Sequence, residues 1–198
     1  AQEGGAGDVI RAIKDVMKAC IQEKDVEIDQ LTTFDLEYLF LRLRAKSVNN
    51  IAKITYEDHE DGKARDFEID LEEIEVEFDE TNEMKIPIAN GVGIMMKYPS
   101  AAITDQLVEI ENDTDMMMYF ITNSIDYIYE NDTLHPANEQ PPEELEAFLD
   151  ALPIECFEKI KQFFATLPRL YHKIEYTNDM GTKRVIELKN LRDFFTWG

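Results

Sequence analysis

The stretch from Thr32 to Ile51, TTFDLEYLFLRLRAKSVNNI, limits the possible folds more than any other part of the chain. Thr32 offers a side-chain acceptor and Asp35 follows as an acid, a pairing typical of a helix start. Phe34, Tyr38 and Leu41 then fall at helical spacing, as do Leu36, Leu39 and Leu43, with Phe40 between the two rows. An apolar arc that broad does not suit a helix lying on a surface. Asp35, Arg42 and Lys46 share the remaining polar stripe, and Ser47, Asn49 and Asn50 end the element. The segment reads as a central buried helix, covered on both sides by the helices before and after it. With Leu39 on the arc, Leu39→Ala is expected to cost about 2–5 kcal/mol.

Before this helix, Asp8 can cap an amphipathic segment containing Val9, Ile10, Ile13, Val16, Met17 and Ile21. After it, residues 51–78 read as strands. Ile54 and Tyr56 alternate with Lys53 and Thr55, and Asp61-Gly62 is a hairpin signal. Ile74, Val76 and Phe78 alternate with Glu73, Glu75 and Glu77, as in a strand with one wet face. Two shorter strands, 86–88 and 92–97, flank Asn90-Gly91. A short helix over 101–111 and a longer one over Asp115–Tyr129 follow, the second on an Ile121, Ile125, Ile128 stripe with Met118. Residues 133–142 hold three prolines and read as a loop, with helices at 143–149 and 153–164 beyond it. Strands at 170–176 and 183–188 around Gly181 form a second hairpin, and Asn190 can cap a last short helix.

The two hairpins resemble each other. Lys53-Ile54-Thr55-Tyr56 matches Lys173-Ile174-Glu175-Tyr176, and each turn glycine precedes a Glu-aliphatic pair, Glu68-Ile69 or Glu187-Leu188, by the same spacing. Duplication and convergence of hairpins on glycine turns and β-branched strands both account for this. The fold class expected is α+β: a helical body around the central helix, two β-hairpin elements and short extra strands. Residues 1–100 supply a helical segment and an acidic strand-rich hairpin region. Residues 101–198 supply a helical segment, the C-terminal hairpin and the short helix, and the whole is expected to form one compact domain.

A net charge of −22 argues against binding a nucleic-acid backbone or an anionic membrane, both of which need clustered Lys and Arg. It suits basic or apolar protein partners. No apolar run approaches the ~20 residues of a membrane span. Cys20 and Cys156 form no CxxC pair and read as two buried thiols.

The nearest approach to a metal motif is Glu57–Glu68. Counted from Glu57, Asp61-Gly62 and Glu68 fall near the glycine and bidentate-glutamate places of a calcium loop. His59 and Arg65 interrupt it, and its flanks read as strands, so no metal site is expected and the acids read as a solvated face. No histidine lies in a motif beside Ser or Cys, no phosphate loop is present, and neither catalysis nor a cofactor is expected. The residues suited to partner contact are Met116 and Met117, which with Met118, Met95 and Met96 form a soft apolar group, and the terminal aromatics Phe194, Phe195 and Trp197. Each set also reads as core filling. The acidic 57–83 segment and the mildly basic end of the chain, from Arg169 on, would allow head-to-tail contacts between copies, and so a homo-oligomer.

FDLEYLFLRLRAKSV followed by a hairpin resembles the T4-type bacteriophage baseplate hub subunit family, as does the ending LPRLYHKIEY…VIELKNLRDFF. The resemblance covers nearly the whole chain and implies a structural or assembly component of a contractile-tail baseplate hub. It further implies other tail proteins as partners, a place in the virion tail after assembly in the host cytoplasm, and further residues before Ala1. Two other functions are compatible with the residues: an acidic tail-assembly chaperone holding the tape measure or another hub protein, and a calcium-binding module.

Overall fold

The computed structural model describes residues 6–21, 26–105, 110 and 112–195. The fold is α+β, with five helices and nine strands in antiparallel sheets among those residues. They group into two compact units. The first is Ala1–Thr33 with Phe78–Leu167, and the second is Phe34–Glu77 with Pro168–Gly198.

In the first unit, α1 (Ala6–Cys20) buries Ile10, Ile13 and Met17 on one face. Lys14 lies on that face too, only 3% exposed, and forms a 2.6 Å ion pair with Asp29 while its ammonium donates to the Ala101 carbonyl. A buried ammonium is tolerable only with such partners. A four-stranded sheet follows in the order β4 (Lys85–Ala89), β5 (Val92–Met96), β6 (Ile125–Glu130), β7 (Thr133–Pro136). Ile86, Ile94, Met96 and Ile125 of this sheet share a core with Ile121 of α3 (Asp113–Asn123), Leu145 and Leu149 of α4 (Pro142–Asp150), and Ile160 and Phe163 of α5 (Ile154–Ala165).

The helix expected over Asp115–Tyr129 is therefore two elements. α3 stops at Asn123, Ser124 has left the helix, and β6 begins at once. The Ile121–Ile125–Ile128 spacing is helical, but Ile125, Tyr127 and Tyr129 also alternate, and these aromatic and β-branched residues favour a strand. The decisive signal lies further on. Asn131 adopts φ 53°, a left-handed turn conformation that asparagine tolerates, and the chain returns as β7 through a segment that reads in the sequence as a loop. The helix expected at 101–111 is a 3-10 turn over Ala101–Asp105, and the rest of that range, apart from residue 110, lies outside the described residues. Cys20, expected to be buried, is exposed at the end of α1, whereas Cys156 is buried.

In the second unit, β1 (Ile51–Asp58) and β2 (Lys63–Asp70) form one hairpin. β3 (Glu75–Glu77), β8 (Arg169–Thr177) and β9 (Lys183–Leu188) form a three-stranded sheet in that order. Gly62 and Gly181 have φ 67° and 83°, conformations that the two hairpin turns demand and that glycine adopts without strain. Asn190 caps a 3-10 turn over Leu191–Phe194, its backbone and side chain both held by Asp193.

Helix α2 (Thr33–Ser47) buries Phe34, Leu41 and Ala45 along one line and Leu36 on the opposite side, with Leu43 and Phe40 half-buried beside Leu36. Leu39 is 37% exposed, contrary to its expected place on the apolar arc. It follows Asp35 by four residues and precedes Lys46 by seven, so at 100° per residue it stands on their polar stripe. Arg42, beside that stripe, reaches the Glu72 and Ile74 carbonyls, the Tyr38 hydroxyl at 2.6 Å and the Glu75 carboxylate at 2.9 Å. One guanidinium thus ties the helix to the start of β3 and the residues before it.

Candidate docking surface

An apolar groove of about 460 Å³ opens on the first unit. Its walls are α3 and α5. Asn112 starts α3 by accepting a 2.8 Å bond from the Asp115 amide. One turn on, Met116 and Met117 precede Phe120 and Ile121 by four residues, so the four share one side of the helix. On α5, Phe157, Ile160 and Phe164 fall at i, i+3 and i+7, with Lys161 at the rim. Ile121 and Ile160 are buried and form the floor, anchored in the core below the sheet. Met117 is 46% exposed at the lip, and Ile154, three residues before Phe157, is 73% exposed along the same line. At the rim, Lys161 is engaged by Glu158 at 3.3 Å. The groove offers deformable apolar contact area.

The unit that bears the groove is strongly acidic. The first unit carries 25 acidic residues against eight basic ones, net −17, whereas the second carries 17 against 12, net −5.

The calcium-loop candidates are dispersed. Glu57 stands opposite Ala64 and Glu68 opposite Lys53, four rungs or about 13 Å apart along the ladder. Glu68 pairs with Lys53 at 2.8 Å. Asp61 accepts from Arg65 and from the Lys63 and Asp179 amides, and its carboxyl is held well below the usual range, chiefly by the Arg65 guanidinium. Among the described residues no three His, Cys, Asp or Glu side chains converge on one point.

The acids of this turn are instead mortar between the two hairpin tips. Asp58, fully buried, accepts from the Tyr176 hydroxyl at 2.6 Å and from the Glu60 amide, and lies 3.4 Å from the Arg184 guanidinium. Asn178 donates to Glu60 at 2.6 Å, and Asp179 is held by Lys63 and Arg65. The Tyr176 hydrogen bond is the main cause that depresses the Asp58 pKa. The sequence expectation of a solvated acidic face thus describes Glu57 and Glu68, which are exposed, but neither Asp58, which is buried, nor Asp61, whose side chain is only 5% exposed.

Of the terminal aromatics, Phe194 is fully buried, and Phe195 is half-buried, edge-on to Phe40 at 6.5 Å with Arg44 over its ring. Trp197 lies outside the described residues. Sequence reasoning singles out Met116 and Met117 but misses the opposite wall. The Phe157, Ile160, Phe164 spacing with an apolar Ile154 ahead of it was the available signal.

A family model described as T4 bacteriophage base plate protein matches residues 1–196. The chain belongs to that family. No curated protein and no solved structure matches it. As a base plate protein it is a structural component of a phage tail, and its natural partners are other tail proteins. Among the described residues, no helix of this base plate protein is long and apolar enough to cross a membrane.

Proposed function

We propose that this base plate protein is a non-enzymatic component of the baseplate hub, and that its α3–α5 groove seats an amphipathic helix of another tail protein with apolar anchors and basic flanks. The observation that carries the reading is an open Met- and Phe-lined groove on the unit with net charge −17. Helices dock in such grooves through anchors spaced one turn apart. The net charge of that unit favours a basic partner and disfavours a second copy of the same unit. Methionine walls suit a surface that must repack around its occupant.

The test uses the purified protein with individually expressed tail proteins of the same phage. Met117→Asp places a charge at the half-exposed lip and is expected to leave melting unchanged while abolishing capture of the cognate tail protein. Unchanged capture, with the protein folded, removes the groove from the interface. Mass spectrometry of finished particles then separates the two assembly roles. Presence in them supports the hub component, and absence supports the chaperone that releases its client.

A further inference from the structure

We propose that β9 is a homotypic docking edge, and that two copies of this chain pair antiparallel through it with Val185 facing its counterpart and Lys183 facing Glu187. Among the described residues, β9 pairs with β8 on one side and with no strand on the other. The turn fixes which backbone groups point outward. The Asn178 amide donates to the Thr182 carbonyl, so residues 178 and 182 form a hydrogen-bonded pair. Pairs alternate along an antiparallel ladder, so Tyr176–Arg184 and Ile174–Ile186 are bonded, and Lys183, Val185 and Glu187 direct their N–H and C=O away from β8.

The same three residues present exposed side chains on one face, with Val185 53% exposed. Rotating this row about a two-fold axis at Val185 sets Lys183 of each copy against Glu187 of the other. The outward backbone groups of all three positions then meet in hydrogen-bonded pairs. A shift by two residues keeps the backbone bonds but sets a charge against Val185, so side-chain chemistry selects this register.

Charge and sheet geometry favour this edge over the others. From Arg169 onward the chain has six basic and four acidic residues, its least acidic long segment, so two copies of a −22 protein repel each other least there. β4 carries Pro87 and a register shift, and β7 ends in Pro136; both features blunt an edge. β3 is three residues long with Glu75 and Glu77, and β1 and β2 converge on the acidic turn. β9 has six residues without proline, glycine or bulge.

Sedimentation velocity across a concentration series tests the proposal. The wild-type protein is expected to show a monomer–dimer equilibrium below about 100 μM. Lys183→Glu opposes Glu187 of the second copy and should raise the dimer Kd at least about tenfold, while Lys183→Glu with Glu187→Lys should restore it to within about threefold. Val185→Pro removes an outward N–H without touching a β8 bond, and should give a monomer that melts as the wild type does. A wild-type monomer throughout the range overturns the proposal, as does a dimer indifferent to both Lys183→Glu and Val185→Pro. If Val185→Pro does not fold, Lys183→Glu decides alone, because Lys183 is exposed, whereas Glu187 also accepts from the Tyr171 hydroxyl and pairs with Lys189 at 2.7 Å.

Discussion

The hydroxyl of Tyr176 donates to Oδ2 of Asp58 at 2.6 Å, joining the tips of two hairpins 118 residues apart in sequence. Asp58 matches Asn178 when the Lys-Ile-x-Tyr segments are aligned, and both are buried. Each organises its own turn: Asp58 accepts from the Glu60 amide, and Asn178 from the amides of Met180 and Thr182. The two equivalent positions differ where it matters, since the Asp58 carboxylate accepts from donors the other hairpin supplies.

Removing that carboxylate leaves Arg184 and Tyr176 without their partner. Asp58→Ala is expected to lower the melting temperature by more than about 5 °C, and Tyr176→Phe by less, because Arg184 and the Glu60 amide remain. The folded pKa of Asp58 lies below its unfolded value of 3.8, so its stabilisation is complete above that pH and is lost as the pH falls through the folded pKa. Asp61 and Asp179 shift the same way, through Arg65 and Lys63 respectively. Acid unfolding followed by the tyrosine signal should therefore begin below the ordinary carboxylate range. An Asp58→Ala protein that melts with the wild type would falsify the role assigned to the joint.

Glu37 behaves in the opposite sense. Burial, reinforced by Asp193, raises its pKa from 4.5 to about 7. The unfolded chain then binds fewer protons than the folded one between those values, so this group's contribution falls as the pH rises from 4.5 to 7 and stays low above. Glu37→Gln should add about 1–3 kcal/mol at pH 8 and almost nothing at pH 4. Urea titrations at the two pH values check this, and an equal effect at both would mean that the carboxylate is solvated.

Within α2, Leu41 is fully buried and Leu39 is 37% exposed. Leu41→Ala should cost about 2–5 kcal/mol and Leu39→Ala less than about 1. Denaturant midpoints of the two variants compare them directly, and equal losses would contradict the orientation of the helix.

The sequence reveals these elements unevenly, and for physical reasons. Both glycine-turn hairpins, the amphipathic faces of α1 and α5 and the Asn190 cap are local features, set by residues within one turn or one ladder of each other. The end of α3 was not legible, because Ile121, Ile125 and Ile128 satisfy a helix while Ile125, Tyr127 and Tyr129 satisfy a strand. Only pairing with β5 and β7 decides between them. The groove was half legible, since the methionines stand together in sequence whereas Phe157 and Phe164 join them only through packing. The Asp58–Tyr176–Arg184 joint was hidden in an acidic run that reads as solvent-facing.

Pairing also places Gly93, which sits opposite Tyr129 in β6 and Pro87 in β4. A Cβ at this position would collide with the Tyr129 ring and come within 2.6 Å of the Ile86 carbonyl oxygen. The tyrosine lies across the glycine and fills the space a side chain would take, with the Lys85 ammonium over its ring at 4.9 Å from the centre. Gly93→Ala is therefore expected to destabilise the first unit by about 1–3 kcal/mol, although alanine normally stabilises a strand relative to glycine. The second contact separates two explanations. If the ring alone opposed the methyl group, Tyr129→Ala would make room and the two substitutions would offset each other. The Ile86 oxygen belongs to the backbone of the neighbouring strand and does not move aside. The double variant should thus remain less stable than Tyr129→Ala alone, as read from thermal midpoints in a double-mutant cycle. Full recovery in the double variant would show that β4 gives way and that the sheet is looser at Pro87 than its pairing indicates.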